Sequence, residues 1–275
     1  MMTLRFSDSG VSFLLDQTVA GFYRHTDAFK PHIHPLRTPL GHCVTSCSPH
    51  DHKHHKGLMY ALRPEDVNFW EEFATVPAEV AGSQRHLDFR EVVSRGERVC
   101  FTESLRWEAL DGTLQSFDET RTISCRHDPA ARAFVWTWTT KLTALRDLHL
   151  IQSQWSSLLP DGKKINYHGL GLRFRRDFGG LTRNNELRTD GVVFKDHFPQ
   201  QMGFRPKSVT FIGSLDETCP VERAGVTFHQ AQENALYVQD DLFPFMSLGP
   251  TNDAPIILAK GNAIEESYTV TVFDV

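Results

Sequence analysis

The sequence predicts a single all-β domain, a large two-sheet antiparallel β-sandwich that spans residues 1–275. Short runs rich in Thr, Val, Phe and Trp follow one another along the chain, as is typical of strands. Within the clearest of these runs, apolar and polar side chains alternate with a period of two. No window keeps the spacing of an amphipathic helix over several turns. The chain is also much longer than the roughly 100 residues of a simple immunoglobulin-type sandwich.

The clearest strands lie in the middle of the chain. Over residues 99–109 the odd-numbered positions form an apolar face that only Glu103 interrupts. Asp111-Gly112 is then a strong hairpin turn signal. Return strands are expected over residues 113–126 and 133–142. This succession predicts an antiparallel meander.

Further strands are predicted on both sides of this meander, roughly 15 to 18 in all. They are expected over residues 3–6, 11–15, 18–23, 57–62, 148–155, 165–174, 192–194, 209–212, 225–229, 236–238, 245–248, 256–259 and 267–273. One short helix is expected over residues 64–73, with Pro64 near its first turn.

Composition and charge exclude several classes of protein. Hydrophobic residues make up 40% of the chain, an ordinary share for a globular protein with a full core. The formal net charge of −5 gives no reason to expect a nucleic-acid partner. No stretch approaches the roughly 20 apolar residues that cross a bilayer, and residues 1–13 lack the apolar segment of a secretory signal. We therefore expect a cytoplasmic protein without membrane association, and the oligomeric state stays open.

The cysteines agree with a reducing compartment. They are Cys43, Cys47, Cys100, Cys125 and Cys219, an odd number at scattered spacings, which does not predict a disulfide framework. Cys100 and Cys125 fall in strand-like runs and are predicted to be small buried hydrophobic residues. Cys43 and Cys47 flank a histidine-rich segment, so a role as ligands stays open for them.

Histidine is the unusual feature of the composition. The chain has 14 histidines, of which eight lie between His25 and His55. Prolines and glycines interrupt this segment, so it is predicted to be a loop, and loops on a β scaffold commonly carry functional sites. Imidazole is a common metal ligand and also titrates near neutral pH. A metal site and an acid–base site are therefore both open, and solvated loop residues are the alternative for each histidine taken singly.

The spacing of four histidines suits a metal. His32 and His34 are two residues apart, as are His52 and His54, so each pair shares one face of an extended chain. Brought together, these four imidazoles would bind zinc or a similar divalent metal. Asp51 would add an oxygen ligand or orient an imidazole.

Charged residues interrupt the apolar rows of the central strands. Glu103, Glu119 and Arg121 are predicted to form either a buried ion pair or the charged floor of a pocket. In the second interpretation Arg121 binds ligand oxygens, and Glu119 or Glu103 orients or deprotonates the ligand. His168, where a later strand begins, is a candidate second acid–base residue.

Residues 34–70 resemble the PmoA-like family of bacterial proteins. The resemblance lies in three motifs, HPLRTPLGHCVT at 34–45, PHDHKHHKGL at 49–58 and VNFW at 67–70. The strand ETRTI at 119–123 is also similar to the family's. The family name suggests methane oxygenation.

More distantly, His55-Lys56-Gly57 before a strand resembles the aldose mutarotases of the galactose mutarotase-like (aldose epimerase) superfamily. This resemblance implies a supersandwich fold that binds sugar through His, Arg and Glu. In those enzymes a histidine protonates the ring oxygen and a carboxylate removes the anomeric proton. The implied catalytic residues are His54, His55, His168 and Glu119, and the candidate substrate-binding residues are Arg121, Glu103, His34, Asn68 and Trp70.

Three functions are compatible with these features. The first is a carbohydrate-active enzyme with acid–base chemistry of the epimerase, isomerase or lyase type. The second is a metal-dependent hydrolase or oxygenase with His32, His34, His52 and His54 as ligands. The third is a non-catalytic sugar-binding module. A small-molecule carbohydrate is the expected partner, and a divalent metal is the one cofactor implied.

Overall fold

The computed structural model describes residues 1–179, 185–195, 198–216, 218 and 221–275. These residues form 23 strands and two short 3₁₀ helices, and several of the strands have only two residues. The strands are β1 (Met2–Ser7), β2 (Gly10–Leu15), β3 (Thr18–Arg24), β4 (His32–Leu36), β5 (Leu58–Ala61), β6 (Val67–Asn68), β7 (Val80–Val93), β8 (Arg95–Gly96), β9 (Arg98–Ala109), β10 (Gln115–Asp128), β11 (Ala133–Ala144), β12 (Leu148–Leu150), β13 (Ser157–Leu158), β14 (Lys164–Ile165), β15 (Gly169–Arg173), β16 (Glu186–Thr189), β17 (Val192–Phe194), β18 (Ser208–Leu215), β19 (Glu222–Gln230), β20 (Ala235–Gln239), β21 (Phe245–Gly249), β22 (Ile256–Leu258) and β23 (Ala263–Asp274). The 3₁₀ helices are Arg176–Phe178 and Phe198–Gln201.

Two large sheets contain most of these strands. One sheet has nine strands in the order β20-β21-β15-β5-β4-β3-β2-β1-β8. The other has ten strands in the order β17-β16-β18-β19-β23-β11-β10-β9-β7-β6. Paired strands in the described residues are antiparallel except β6 and β7, which are parallel. The predicted all-β fold with two large antiparallel sheets is confirmed.

Aromatic contacts join the inner faces of the two sheets. The ring centroid of Phe13 lies 4.7 Å from that of Trp136, and Tyr60 lies 6.3 Å from Trp107. All four residues are buried. Alternate residues of each strand point to this layer because the side-chain period of a strand is two. The core therefore lies between the sheets, and the outer faces are left for other contacts.

The charged residues of the central strands lie in this core. Glu103, Glu119 and Arg121 are each at most 2% exposed. Arg121 donates through Nε and Nη2 to the two carboxylate oxygens of Glu119, both at 2.8 Å. Its Nη1 donates to the hydroxyl of Tyr23 at 3.0 Å, and this hydroxyl hydrogen-bonds to Glu103. Burial alone would lower the pKa of Arg121, but the charge of Glu119 outweighs it and raises that pKa above its ordinary value.

This geometry corrects one expectation from the sequence. Of the two interpretations of these residues, the structure supports the buried ion pair. The interpretation as a charged pocket floor is wrong. Arg121, Glu119 and Glu103 already form hydrogen bonds or ion pairs with other protein groups, and Arg121 has no exposed surface that a ligand could contact. The predicted substrate-binding roles of Arg121 and Glu103 are therefore wrong, and so is the predicted catalytic role of Glu119.

The helix expected over residues 64–73 does not form. The Asn68 side-chain oxygen accepts hydrogen bonds from the backbone N–H groups of Trp70 at 3.0 Å and Glu71 at 2.9 Å. An asparagine that binds the local backbone in this way competes with helix formation. None of the helices in the described residues has the length and apolar character that a membrane crossing requires.

The cysteines that the structure describes are free thiols. Cys125 is buried, as predicted, and burial raises the pKa of its thiol well above the usual value. Cys100 is only half-buried. Cys219 lies outside the described residues.

A close approach of two backbones joins β15 to β21. Gly169 has a φ of +95°, and a Cβ there would lie 2.3 Å from the Cα of Gly249. We expect Gly169→Ala to lower the free energy of unfolding by about 2–3 kcal/mol, from left-handed strain together with the clash. Urea denaturation would measure the loss. The matched control is Gly112→Ala, where φ is +75° but an added Cβ would have no atom within 4 Å apart from those of its chain neighbours. It isolates the strain and should lose only about 1 kcal/mol, and equal losses in the two variants would contradict this account.

Candidate functional site

The histidine-rich loop lines a cleft of about 640 Å³. The cleft lies over the β20-β21-β15 end of the nine-stranded sheet. Residues Arg173, Phe245 and Gln239 are register partners on these strands and so share one face. That face is the outer one, because Leu170 of β15 pairs with Tyr60, which faces the other sheet. The described lining residues are Asp51, His52, His54, His55, Glu71, Phe73, Ala74, Thr75, Gln154, Trp155, Ser157, Tyr167, Tyr237, Gln239, Leu242, Phe243 and Phe245.

Backbone hydrogen bonds close the loop that carries the histidines. The N–H of Ser48 donates to the carbonyl of His55 at 2.7 Å, and that of Gly57 donates to Ser46 at 3.1 Å. Gly57 has a φ of +70°, and a Cβ there would lie 2.4 Å from the carbonyl oxygen of Ile33. Glycine is therefore needed where the loop returns to β5, and this narrow base holds the histidines over the sheet.

Three imidazoles form a contiguous cluster at the tip of this loop. The centroids of His52, His54 and His55 lie between 4.6 and 5.7 Å apart. His55 stacks on Phe245 at 4.9 Å, and His52 contacts Phe243 at 4.2 Å. The structure thus brings His54 and His55, both predicted from the sequence as catalytic, into one cleft.

The protonation state of His55 follows from its partner. The Nη1 of Arg173 lies 3.1 Å from the Nδ1 of His55. Because arginine can only donate, Nδ1 must accept and the ring proton must lie on Nε2. Burial, together with the nearby His54 and Arg173, lowers the pKa of His55 well below its usual value. At neutral pH this ring is therefore neutral, and its Nε2–H is the group that it can donate to a ligand.

Arg173 is itself held in place by an acid. Its Nη2 donates to Asp51 at 2.8 Å, and its guanidinium lies 4.6 Å from the ring centre of Phe243. Burial acts to raise the pKa of Asp51, but the hydrogen bond and charge of Arg173 outweigh it and hold that pKa well below the ordinary value. Asp51 thus orients Arg173, which orients His55. Asp51 is a candidate from the sequence, whereas no sequence pattern predicts Arg173.

The lining of the cleft also includes Glu71, which is 3% exposed. Its Oε1 accepts a hydrogen bond from the Ser153 hydroxyl at 2.9 Å and lies 3.0 Å from the hydroxyl of Tyr167. Its Oε2 is buried and has no hydrogen-bond partner among the described residues. The charge of this buried carboxylate is compensated by Arg63, whose Nη1 lies 3.7 Å from Oε1. Glu71 was not predicted from the sequence, although it directly follows the VNFW motif.

The other histidines of the predicted metal site lie elsewhere. The Nδ1 of His32 lies 3.1 Å from the carbonyl oxygen of Lys30, and its Nε2 lies 3.6 Å from the sulfur of Cys47. His34 pairs with the hydroxyl of Thr45 at 2.9 Å. Across the described ranges, no three His, Cys, Asp or Glu side chains converge in a way that would hold a metal ion. The prediction of a metal site built from His32, His34, His52 and His54 is therefore wrong. His52 and His54 line the cleft, whereas His32 and His34 bind other protein groups outside it. His34 also does not line the cleft, which corrects its predicted substrate-binding role.

Three more predicted site residues lie behind the cleft wall. His168, Asn68 and Trp70 are each 0% exposed and do not line the cleft. The ring of Trp70 lies 5.2 Å from His168 and 6.4 Å from His55. Burial lowers the pKa of His168 well below its usual value. Their predicted contacts with substrate are corrected, since fully covered side chains can only support the wall from behind.

The neutral state of His54 predicts a pH dependence of stability. Burial lowers the pKa of His54 from its usual 6.5 to about 3. Its contribution to stability is therefore fully present above pH 6.5 and is lost as the pH falls toward 3. We expect a change from pH 7 to pH 5 to cost about 1–2 kcal/mol of unfolding free energy through this residue.

Urea denaturation at the two pH values would measure this loss in the native chain and in His54→Gln. The variant should show a correspondingly weaker pH dependence. His149→Gln is the control, because the side chain of His149 is 46% exposed. A pH dependence that is unchanged in His54→Gln would disprove the assignment.

Comparisons with known proteins add a family and a structural likeness. A family model described as DUF6807, family of unknown function, matches residues 11–275. No curated protein matches the chain. Among solved structures, the chain is similar to a galactose mutarotase related enzyme from Lactobacillus acidophilus, with 9% sequence identity and a TM-score of 0.36 over 99% of this chain and 97% of that one. A likeness of this extent carries no functional argument, and the comparisons give no support to the PmoA-like resemblance.

Proposed function

Because the chain belongs to DUF6807, a family of unknown function, we propose its activity from the cleft itself. We propose that the protein is a carbohydrate-active enzyme that moves a proton on a bound sugar, as an epimerase, isomerase or lyase does. One observation carries the proposal. The carboxylate of Glu71 lines the same cleft as the imidazoles of His54 and His55.

The groups of the cleft suit the two halves of a proton transfer. The carboxylate of Glu71 would accept a proton from the sugar through Oε2, which has to become uncovered as the sugar binds, while Ser153 and Tyr167 hold Oε1. The Nε2–H of His55 would donate a hydrogen bond to the sugar oxygen on which negative charge develops. Glu71 would return the proton to the sugar to complete the reaction, and His54, neutral because burial lowers its pKa to about 3, would accept a hydrogen bond from a sugar hydroxyl.

The remaining lining residues suit a neutral polyhydroxylated ligand. The lining includes aromatic rings such as Phe243 and Phe245 together with the amide of Gln239 and the hydroxyl of Tyr237. Binding sites of this kind combine apolar walls with a few placed polar groups. Among the described lining residues there are two carboxylates and no Lys or Arg. Both of these carboxylates already have an arginine beside them, and the described lining adds no free cation to hold an acidic sugar, so a neutral sugar is favoured.

Calorimetric titration followed by NMR would test the proposal. The probes are glucose, galactose, mannose, maltose, cellobiose and lactose, with glucuronate and galacturonate as the acidic comparison. We expect a neutral sugar to bind, and incubation in D₂O to exchange one of its carbon-bound protons or to form a new product. Absence of binding by every probe would contradict the proposal. Binding without exchange or turnover would contradict its catalytic part and favour a sugar-binding module.

A further inference from the structure

Exposed apolar side chains stand at the mouth of the cleft. Phe73, Trp155 and Leu242 are 56%, 68% and 80% exposed, and all three line the cleft. We call these three residues the outer rim. Single exposed apolar residues are ordinary on a protein surface, but several gathered around one cleft indicate contact with a ligand.

Hydrogen bonds tie the outer rim to the interior of the cleft. The backbone N–H of Trp155 donates to the Ser153 hydroxyl at 3.2 Å, and this hydroxyl donates to Glu71 at 2.9 Å. The side chain of Gln154 donates to the carbonyl of Thr75 at 3.0 Å, which joins the segments that carry Trp155 and Phe73. The backbone of Trp155 is therefore held relative to Glu71 before a ligand arrives.

The volume of the cleft exceeds what one sugar ring needs. Clefts of roughly 300–1,000 Å³ hold drug-sized ligands, and a single pyranose ring is much smaller than such a ligand. A ring bound against Glu71 and His55 would leave the outer rim uncovered in a cleft of about 640 Å³. A second ring would cover it, with its apolar C–H face on the indole and its hydroxyl groups in water.

We propose that the outer rim is a second sugar-binding subsite, so that the substrate is a neutral disaccharide or longer glycan whose second ring stacks on Trp155. The inference rests on the proposed function, since it takes the first ring to lie against Glu71 and His55. It identifies Trp155 as a residue that determines ligand length rather than one that takes part in proton transfer.

Binding of matched sugars to variants of Trp155 tests the subsite. Calorimetry would give the dissociation constant of each monosaccharide and of the disaccharides that contain it. Glucose is paired with maltose and cellobiose, and galactose is paired with lactose. We expect the disaccharide of at least one pair to bind about tenfold more tightly, the gain expected from covering roughly 50 Å² of apolar surface. Trp155→Ala should lose about tenfold in affinity for that disaccharide and much less for the monosaccharide. Trp155→Phe should keep most of the preference, because a ring remains.

The control is Ile257→Ala, at an apolar side chain that is 85% exposed and outside the cleft. It should change neither affinity. Equal affinities of the native chain for mono- and disaccharides, or an equal loss for both in Trp155→Ala, would overturn the second subsite and leave the proposed function intact. Failure of every sugar to bind would instead contradict the proposed function, and this inference with it.

Discussion

Replacement of Arg121 by alanine is expected to lower the free energy of unfolding by about 3–5 kcal/mol, the cost of leaving a buried charge without its partner. The substitution removes both hydrogen bonds to Glu119 and the one to Tyr23. Glu119 would stay in the core with hydrogen bonds from Trp107 and Thr140 but no cation. Urea denaturation at pH 7 would measure the loss.

Two further variants make this prediction specific. Arg188→Ala removes an arginine that is 47% exposed and lies 2.8 Å from Glu186, and should cost less than about 1 kcal/mol. The double variant Glu119→Gln with Arg121→Met should lose less stability than Arg121→Ala, because no buried charge is left unpaired. If Arg121→Ala were as stable as Arg188→Ala but had lost sugar binding, the ion-pair interpretation would be wrong. The result would instead support the ligand-binding role that the sequence predicts for Arg121.

Replacement of Glu71 by glutamine is expected to lower the rate of proton exchange on the bound sugar by about 10²- to 10⁴-fold, the usual contribution of a general acid or base. The amide keeps the shape of the carboxyl group and its contacts with Ser153 and Tyr167, but it cannot take up a proton. The dissociation constant of the sugar should change by less than about tenfold, because a hydrogen-bonding group remains in place. Single-turnover NMR in D₂O would measure the rate and calorimetry the affinity.

Glu65→Gln is the matched control, since the side chain of Glu65 is 71% exposed and does not line the cleft. It should leave both quantities unchanged. A Glu71→Gln variant that exchanges protons at the native rate would remove Glu71 from the chemistry. A variant that binds no sugar would give it a binding role instead.

The sequence predicts the fold better than the site because strand periodicity is local. Alternation over β9, β10 and β11 is visible in the residues themselves, and it correctly marked Glu103, Glu119 and Arg121 as lying on an apolar face. Periodicity does not say what lies opposite that face, so a packed core and a pocket floor were equally compatible. The helix over residues 64–73 failed for another reason, since a side-chain contact of Asn68 overrides the local pattern.

The candidate site could be predicted only where it is contiguous in sequence. His54 and His55 lie in one motif, and the structure places both in the cleft, while their catalytic roles stay predictions. Arg173 and Phe245 reach them only through the pairing of β15 with β5 and β21, which no local pattern reports. The sequence predicts Trp155 at the end of a strand over residues 148–155, and nothing in the neighbouring residues distinguishes an exposed rim residue from a core tryptophan.

NMR titration of the histidine side chains tests most directly the central claim that this cleft binds a sugar. The imidazole signals, assigned with single His→Gln variants, would be followed while the tightest-binding neutral sugar is added. We predict that the signals of His54 and His55 shift with the calorimetric dissociation constant, and that the signal of His149, which is outside the cleft, does not. A sugar that binds by calorimetry but leaves both His54 and His55 unchanged would contradict the account.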